Sequence, residues 1–215
     1  MKKETLLKVE NLVVHYETHN EVVEAVNNVS FEILSGQTLG LVGETGAGKT
    51  TIALAIMRLL PKTTGKVIQG SIYFDGKDIQ ALSTREMRAI RGHDISMIFQ
   101  DPMSSLNPVL PIDEQIAELI RLHRHVSRAE AAAQTREILK KVGIQPDRAG
   151  EYPHQFSGGM KQRVVIAMAL ACNPRLLIAD EPTTALDVTI QAQVLNLIRE
   201  LKKESGTSML LITHD

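Results

Sequence analysis

The stretch GETGAGKT, residues 43–50, decides how this chain is organised. The run before it, QTLGLVG, is short, apolar and typical of a buried parallel strand. The run after it, TIALAIMRLL, predicts a helix that continues to Pro61. A glycine-rich loop between a strand and a helix fits G-x-x-x-x-G-K-[ST] in its proper context. Such a loop wraps its backbone N–H groups around phosphate, so we expect a phosphate site here.

The loop also carries side chains that suit a nucleotide with its metal. We expect Lys49 to reach the β- and γ-phosphates of ATP and the Thr50 hydroxyl to bind Mg²⁺. The residues assigned to nucleotide binding in this loop are Gly43, Glu44, Thr45, Gly46, Ala47, Gly48, Lys49, Thr50 and Thr51.

Three apolar runs further along end in polar residues. Asp180 ends LLIAD and Glu181 follows it, while Gln100 ends ISMIFQ and His214 follows MLLIT. The carboxyl ends of parallel strands meet at one edge of a sheet, where ligands bind. We therefore predict that Asp180 and Gln100 join Thr50 at the metal and that His214 contacts the γ-phosphate. The predicted catalytic residues are Gln100, His214 and Glu181. Glu181 is the predicted general base, or the group that orients the attacking water.

A second anion site is predicted at FSGGMKQR, residues 156–163. Ser157 has the character of a helix N-cap, and Gly158 and Gly159 open an apolar helix whose first N–H groups face outward. The segment from Asp101 to Tyr152 separates this site from the first loop. We therefore expect it to cap the γ-phosphate of an ATP held by a second subunit, in a head-to-tail dimer that buries two ATPs.

The remaining pattern predicts an α/β fold with a mostly parallel sheet, an N-terminal antiparallel β portion and an inserted helical subdomain. We place one domain over residues 6–215 and the helical subdomain at about 101–172. Capping boxes are predicted at Ser83/Glu86 and Ser127/Glu130. A turn or bulge is predicted at Asn27-Asn28, and an Asp-Gly turn after SIYF.

Composition narrows the classes of function. The formal net charge of −1 argues against nucleic acid held on a basic face. The single cysteine, Cys172, lies in an apolar run and suits a buried thiol in a reducing compartment. The sequence shows neither a secretory signal nor an apolar run that could span a membrane, so any tie to a membrane must come through a partner.

Six features follow one another along the sequence: the P-loop, Gln100, FSGGMKQR, LLIADEP, Ala185-Leu186-Asp187 and His214. In this order they resemble the ATP-binding cassette family along essentially the whole chain. The resemblance implies a P-loop NTPase core that hydrolyses ATP, with Tyr16 stacked on the adenine and Asp187 joining the two subunits. The signature departs from the commoner Leu-Ser-Gly-Gly-Gln, because Phe156 and Met160 take its first and fifth places. Phosphate capping by Ser157 and the glycines is still expected.

The runs SMIFQDPMSSLNPVLPI and YPHQFSGGMKQRV resemble the ATPase subunits of dipeptide and oligopeptide importers, a branch that includes nickel and glutathione importers. That resemblance implies a homologous or identical second ATPase subunit, two transmembrane permease subunits and, indirectly, an extracytoplasmic substrate-binding protein. It places the chain at the cytoplasmic face of the membrane. A groove beside Gln100 would receive a permease helix, with an apolar lining of Met103, Leu106, Val109 and Leu110, although each of these also suits a packed core.

Two other classes of P-loop protein agree less well with the sequence. Cassette ATPases of chromosome maintenance carry a long coiled coil between P-loop and signature, whereas Gln100 to Phe156 is short and has no sustained heptads. A P-loop kinase or switch GTPase gives no reason for Ser157-Gly158-Gly159. Because family members continue beyond His214, the resemblance also implies an incomplete cassette with poor turnover. Nothing in this sequence predicts which solute is carried.

Overall fold

The computed structural model describes residues 4–18, 21–184 and 186–214, apart from the side chain of Met103. In chain order, its strands are β1 (Thr5–Glu17), β2 (Val22–Leu34), β3 (Thr38–Val42), β4 (Gly65–Phe74), β5 (Lys77–Asp78), β6 (Ile95–Ile98), β7 (Leu176–Asp180) and β8 (Ser208–Thr213). Its helices are α1 (Lys49–Ile56), α2 (Thr84–Ile90), α3 (Pro102–Ser105), α4 (Ile112–Arg124), α5 (Arg128–Lys141), α6 (Gly158–Leu170) and α7 (Val188–Ser205), with 3-10 turns at Pro146–Arg148 and Pro153–Gln155. The α/β class is confirmed.

The elements form two compact units. The first holds Met1–Arg91 and Ser208–Asp215, and the second holds Gly92–Thr207. Within the described ranges, no helix has both the length and the apolar character that crossing a bilayer requires.

An antiparallel sheet of order β2-β1-β4-β5 forms much of the first unit, as predicted. Its central strand β1 pairs with both β2 and β4 and buries Leu7, Val9, Leu12 and Val14. The run from Leu12 to Val14 on β1 faces the longer run from Val26 to Val29 on β2, so β2 contains a bulge. Asn28 takes φ 52° there, which confirms the predicted irregularity at Asn27-Asn28.

The predicted Asp-Gly turn joins β4 to β5. Phe74 pairs with Lys77, and the two residues between them, Asp75 and Gly76, have φ of 51° and 74°. Positive φ at both central residues is the geometry that fits the twist of a two-residue hairpin.

The strand before the P-loop is parallel, as predicted, but it is not buried. β3 pairs with β8 in parallel register, from Thr38 beside Met209 to Val42 beside Thr213. The prediction of a buried strand is wrong, because the side chain of Val42 is 64% exposed. The physical reason is position: among the described residues β3 is the end strand of its sheet, so side chains on each of its faces have strand neighbours on the β8 side only.

Helix α1 ends at Ile56, four residues earlier than its apolar pattern predicts. Arg58 takes a left-handed φ of 50°, its N–H donates to the Ala55 carbonyl, and the Leu59 N–H donates to the Leu54 carbonyl. These are the two bonds of a Schellman motif, which ends a helix whichever residue follows. The Arg58 guanidinium also donates to the Ile79 and Leu82 carbonyls, which holds the arginine in this strained conformation.

The second unit surrounds a parallel pair of strands. β6 pairs with β7 from Ile95 beside Leu176 to Ile98 beside Ala179, and all five residues of β7 are buried. Both predicted capping boxes form, at Ser83/Glu86 before α2 in the first unit and at Ser127/Glu130 before α5 here. Helix α7 buries Val194, Ile198 and Leu201, which lie at helical spacing.

Candidate functional site

The P-loop is shaped by glycines that no other residue could replace without strain. Gly46 and Gly48 have φ of 86° and 81°. A Cβ at Gly48 would lie only 2.0 Å from the Ala25 carbonyl oxygen, so the loop must approach β2 closely at this point. Gly48 is the N-cap of α1, and among the described residues no side chain caps this helix end, where the sequence predicts phosphate binding.

Lys49 is held at the centre of this loop. Its side chain is buried, and the Nζ atom donates hydrogen bonds of 2.7 Å to the carbonyls of both Gly43 and Glu44. Thr45 and Ala47 lie in the exposed loop, and Thr50 is an exposed residue of the first turn of α1. The ammonium is therefore fixed where the loop backbone turns, and its contact with the β- and γ-phosphates of ATP stays a prediction.

Tyr16 and His214 lie close to the loop within the same unit. The Tyr16 hydroxyl is 3.4 Å from Thr51 Oγ1 in α1, and a Cβ at Gly65 would lie 3.1 Å from the Tyr16 ring. Val42 pairs with Thr213, so His214 follows β8 at the level where Gly43 follows β3. The first unit thus brings together Tyr16, the P-loop and His214, although their roles stay predictions.

In the second unit, two of the predicted catalytic residues are in direct contact. Ile98 pairs with Ala179, which brings Gln100 and Glu181, two residues further along each chain segment, to the same level. Gln100 Nε2 donates a 3.1 Å hydrogen bond to Glu181 Oε2. Thr184 Oγ1 donates a second bond, of 2.8 Å, to the same carboxylate oxygen. The carboxylate is therefore oriented from two sides.

Glu181 has a strained backbone. Its φ of 46° lies in the left-handed region, directly after the buried Asp180 at the end of β7. A non-glycine residue in this region costs on the order of 1–3 kcal/mol and persists only where its surroundings impose it. The surroundings of Glu181 therefore impose this conformation, while its catalytic role stays a prediction.

The predicted signature begins helix α6 as expected. Ser157 is the N-cap, and its Oγ accepts a 3.4 Å hydrogen bond from the Met160 N–H. Ser157 and Gly158 are exposed, and a Cβ at Gly158 would meet no atom of the described residues within 4 Å. A Cβ at Gly159, by contrast, would lie 3.0 Å from the Ile190 side chain, so this glycine allows α6 to pack closely against α7.

Arg148 organises the signature loop, a role that sequence reasoning missed. Its guanidinium forms a bidentate ion pair with Glu151, with N–O distances down to 2.6 Å, and lies 4.9 Å above the Phe156 ring. Nη1 also donates a 3.3 Å contact to Met160 Sδ. Hydrogen bonding within this pair lowers the pKa of Glu151 and raises the pKa of Arg148. Both unusual signature residues, Phe156 and Met160, therefore serve as contacts for Arg148.

Two further residues of this unit, Asp187 and Gln162, lie on the helices α7 and α6 or at their ends. Asp187 is exposed at the N-terminus of α7 and makes no side-chain cap, while Ala185 of the same motif lies outside the described residues. Gln162 was also missed: it is 1% exposed, and Nε2 donates a 2.6 Å hydrogen bond to the Pro182 carbonyl. A glutamine in an apolar helix was its only signal in the sequence.

The fold and the two motifs define a class of protein: an α/β chain with a P-loop in its first unit and a serine-capped glycine signature in its second. The sequence profile of the ABC transporter family matches residues 26–184. The chain therefore belongs to the ABC transporter family, which confirms the resemblance drawn from its motifs.

Its curated relatives have peptide-transport names. Over 98–100% of this chain, it is 53% identical to a probable peptide ABC transporter ATP-binding protein, y4tR, of Sinorhizobium fredii, and 52% and 51% identical to the dipeptide and oligopeptide transport ATP-binding proteins DppD and OppD of Bacillus subtilis. The chain spans 64%, 64% and 59% of the lengths of these three relatives.

Solved cassette structures share the fold. The chain is 31% identical to MJ0796, whose dimer was solved in a post-hydrolysis state bound to ADP and Pi, with a TM-score of 0.86 over 98% of this chain and 88% of that one. A cassette of the Clostridium perfringens cbiONQ transporter, cbiO1, gives a TM-score of 0.81 at 28% identity, over 99% of this chain and 80% of that one.

Proposed function

We propose that this chain is an ATP-hydrolysing subunit that powers the import of di- and oligopeptides through an ABC transporter. The observation that carries the ATPase assignment is the Glu181 carboxylate, oriented by Gln100 and Thr184 in a chain with a formed P-loop. The peptide assignment is supported by relatives at 51–53% identity whose names are those of peptide, dipeptide and oligopeptide transport proteins.

In this proposal, separate residues bind ATP and activate the water that attacks it. Lys49 and the loop N–H groups bind the phosphates of ATP, Tyr16 stacks on the adenine, and His214 contacts the γ-phosphate. Glu181 orients the attacking water or accepts its proton, and ATP and water give ADP and inorganic phosphate. A carboxylate that is already oriented needs no rearrangement when the water binds, which favours turnover.

Mg²⁺ fits the donor set that these residues offer. The Thr50 hydroxyl, the Gln100 amide oxygen and the Asp180 carboxylate are hard oxygen ligands of the kind that Mg²⁺ prefers. Because Gln100 Nε2 is bonded to Glu181, its carbonyl oxygen is the atom suited to a cation. When bound, the ion would neutralise charge on the phosphate oxygens.

Hydrolysis in this proposal needs two subunits. Ser157, Gly158 and Gly159 cap the γ-phosphate of an ATP held by the P-loop of a second cassette, and Asp187 lies at the interface. The exposed Ser157-Gly158 end of α6 supports this reading, since an anion could approach it from outside the chain. The second cassette is either a copy of this chain or a homologue.

The remaining partners follow from the transporter assignment. They are two transmembrane permease subunits and, indirectly, an extracytoplasmic substrate-binding protein, with this chain at the cytoplasmic face of the membrane.

Of the apolar residues expected to meet the permease, Leu106 is 5% exposed and belongs to the core, whereas Val109 is 74% exposed. The side chain of Met103 lies outside the described residues. Buried Gln115 bonds the Asn107 N–H and the Asn107 and Leu110 carbonyls, which fixes the loop that presents Val109.

Reconstitution tests this proposal. The full-length protein is purified with the membrane subunits and binding protein that co-purify with it, placed in liposomes, and assayed for ATP hydrolysis and solute uptake with peptides, Ni²⁺ or glutathione. We expect hydrolysis that requires Mg²⁺ and rises with di- or oligopeptides. Stimulation by Ni²⁺ or glutathione alone would contradict the peptide assignment, and an inactive complex would contradict the ATPase assignment.

A further inference from the structure

A buried glutamine connects the signature helix to the catalytic loop of the same chain. Gln162 lies on α6, is 1% exposed, and donates a 2.6 Å hydrogen bond from Nε2 to the carbonyl of Pro182. Pro182 is itself buried and directly follows Glu181. A hydrogen bond between two groups shielded from water is strong, and the loss of one partner leaves the other unsatisfied.

The Pro182 carbonyl is an effective point from which to hold Glu181. Proline has no N–H, so its carbonyl is the polar backbone group through which another element can fix it. The left-handed Glu181 needs such external restraint. Thr184 restrains it from within the loop, through its N–H to the Glu181 carbonyl at 3.3 Å and its Oγ1 to the carboxylate at 2.8 Å. Gln162 restrains it from a different element.

Helix α6 contacts both ends of the segment that links β7 to α7. Gln162 holds Pro182 at the β7 end, and Gly159 packs against Ile190 in the first turns of α7. Gln162 lies five residues after the Ser157 N-cap, which is roughly 7 Å along a helix. Over so short a distance a helix moves as a rigid body, so a displacement at Ser157 reaches Pro182.

We infer that Gln162 is a positioning residue that couples phosphate binding at Ser157–Gly159 to the orientation of this chain's own Glu181. The inference rests on the proposed function, in which Ser157 caps ATP held by a second cassette while Glu181 serves the nucleotide of its own chain. Gln162 then makes hydrolysis at one nucleotide depend on occupancy of the other. It touches neither ATP nor water, and it acts through the Pro182 carbonyl.

Two substitutions separate this role from ordinary core packing. Gln162→Met keeps the shape of the side chain and removes the donor. Gln162→Glu keeps the shape and places a carboxylate against the carbonyl, but on protonation its O–H can donate to Pro182. Burial raises the pKa of such a carboxyl, so the donor should return within an accessible pH range. Gln145→Met, at an exposed position without a side-chain cap, is the control.

The first readout is amide hydrogen exchange at Thr184 and Leu186, whose N–H groups bond the Glu181 and Thr183 carbonyls. It needs no catalysis. We expect exchange in full-length Gln162→Met to be on the order of tenfold faster than in the wild type, as for the loss of one buried hydrogen bond. Unchanged exchange would overturn the inference even if the protein proved not to hydrolyse ATP.

The second readout compares two quantities in the assembled transporter: the turnover number kcat for ATP hydrolysis and the affinity for ATP. We expect Gln162→Met to lower kcat about tenfold with unchanged ATP affinity, and to lower the Hill coefficient for ATP. We expect Gln162→Glu to regain turnover relative to the wild type as the pH is lowered. A loss of kcat that follows a loss of ATP affinity, together with a pH-independent Gln162→Glu, would show a merely structural role and overturn the inference.

Discussion

Gln100 Nε2 donates a 3.1 Å hydrogen bond to Glu181 Oε2, so the two residues that follow neighbouring parallel strands are joined directly. The amide nitrogen of Gln100 thereby orients the carboxylate, while binding of Mg²⁺ by its amide oxygen stays a prediction. The segment after β6 thus supplies one of two hydrogen bonds that orient the Glu181 carboxylate, and Thr184 supplies the other.

Replacement of this carboxylate should separate binding from hydrolysis. We expect Glu181→Gln to bind ATP normally and to hydrolyse it about 10²–10⁴-fold more slowly, because only the base or water-orienting group is lost. Lys49→Ala should instead weaken ATP binding, since Lys49 is the cation of the loop. Calorimetric affinity and steady-state turnover give the two quantities. The exposed Glu118→Gln is the control, and equal losses of ATP affinity in the Glu181 and Lys49 variants would contradict the separate roles.

The close approach at Gly48 predicts a stability difference between two glycines. Gly48 and Gly76 both have positive φ, but a Cβ at Gly76 meets nothing within 4 Å, whereas one at Gly48 lies 2.0 Å from the Ala25 carbonyl. We expect Gly76→Ala to lower the free energy of unfolding by about 1 kcal/mol, the cost of left-handed backbone alone. We expect Gly48→Ala to cost roughly 3 kcal/mol or more, because the loop must move. Similar costs in chemical denaturation would contradict the close approach of the P-loop to β2.

The ion pair beneath the signature predicts a pH effect of defined sign. Hydrogen bonding to Arg148 lowers the pKa of Glu151 in the folded chain. A lowered carboxyl pKa stabilises the fold above its ordinary range, and this contribution disappears as the pH falls through the folded value. We therefore expect acidification to loosen the signature loop, measured as faster exchange of the Met160 amide after correction for the intrinsic rate. Glu151→Gln should lack this component, and identical pH profiles in the two proteins would refute the assignment.

Val109 provides a test of the proposed permease contact that does not depend on ATP hydrolysis. We expect Val109→Asp to weaken association with the membrane subunits by roughly tenfold, as for a central apolar contact, while ATP affinity of the chain is unchanged. Leu122→Asp is the control, because Leu122 is similarly exposed, at 67%, on helix α4. Association with the membrane subunits is measured by co-purification or by surface plasmon resonance. Equal binding by wild type and Val109→Asp would show that Val109 lies outside the interface.

Local chemistry explains what the sequence could predict. The capping boxes at Ser83 and Ser127 and the turn at Asp75-Gly76 are specified by residues a few positions apart, and each forms as expected. The end of α1 could not be predicted in this way. Arg58 adopts a left-handed conformation because its guanidinium bonds the Ile79 and Leu82 carbonyls, more than twenty positions away.

The same limit applies to the site. The P-loop, Gln100, Glu181 and Ser157 could be proposed as site residues from the sequence because their residue types suit phosphate, metal and water chemistry. Arg148 and Gln162 act on other side chains or on a carbonyl, so no residue type near them in sequence indicates their role. Only the fold brings Arg148 to Met160 and Gln162 to Pro182.

The requirement for two subunits is tested most directly by mixing two inactive variants. Lys49→Ala removes the P-loop cation, and Ser157→Arg blocks the signature, so neither variant alone forms a complete site. If the P-loop of one cassette works with the signature of another, mixed chains contain one intact composite site, and we expect hydrolysis to return to a substantial fraction of the wild-type rate. If the natural partner is a homologue, one substitution is placed in each chain. Mixtures as inactive as the separate variants, or wild-type turnover per chain that does not change on dilution to the monomer, would contradict the two-subunit mechanism.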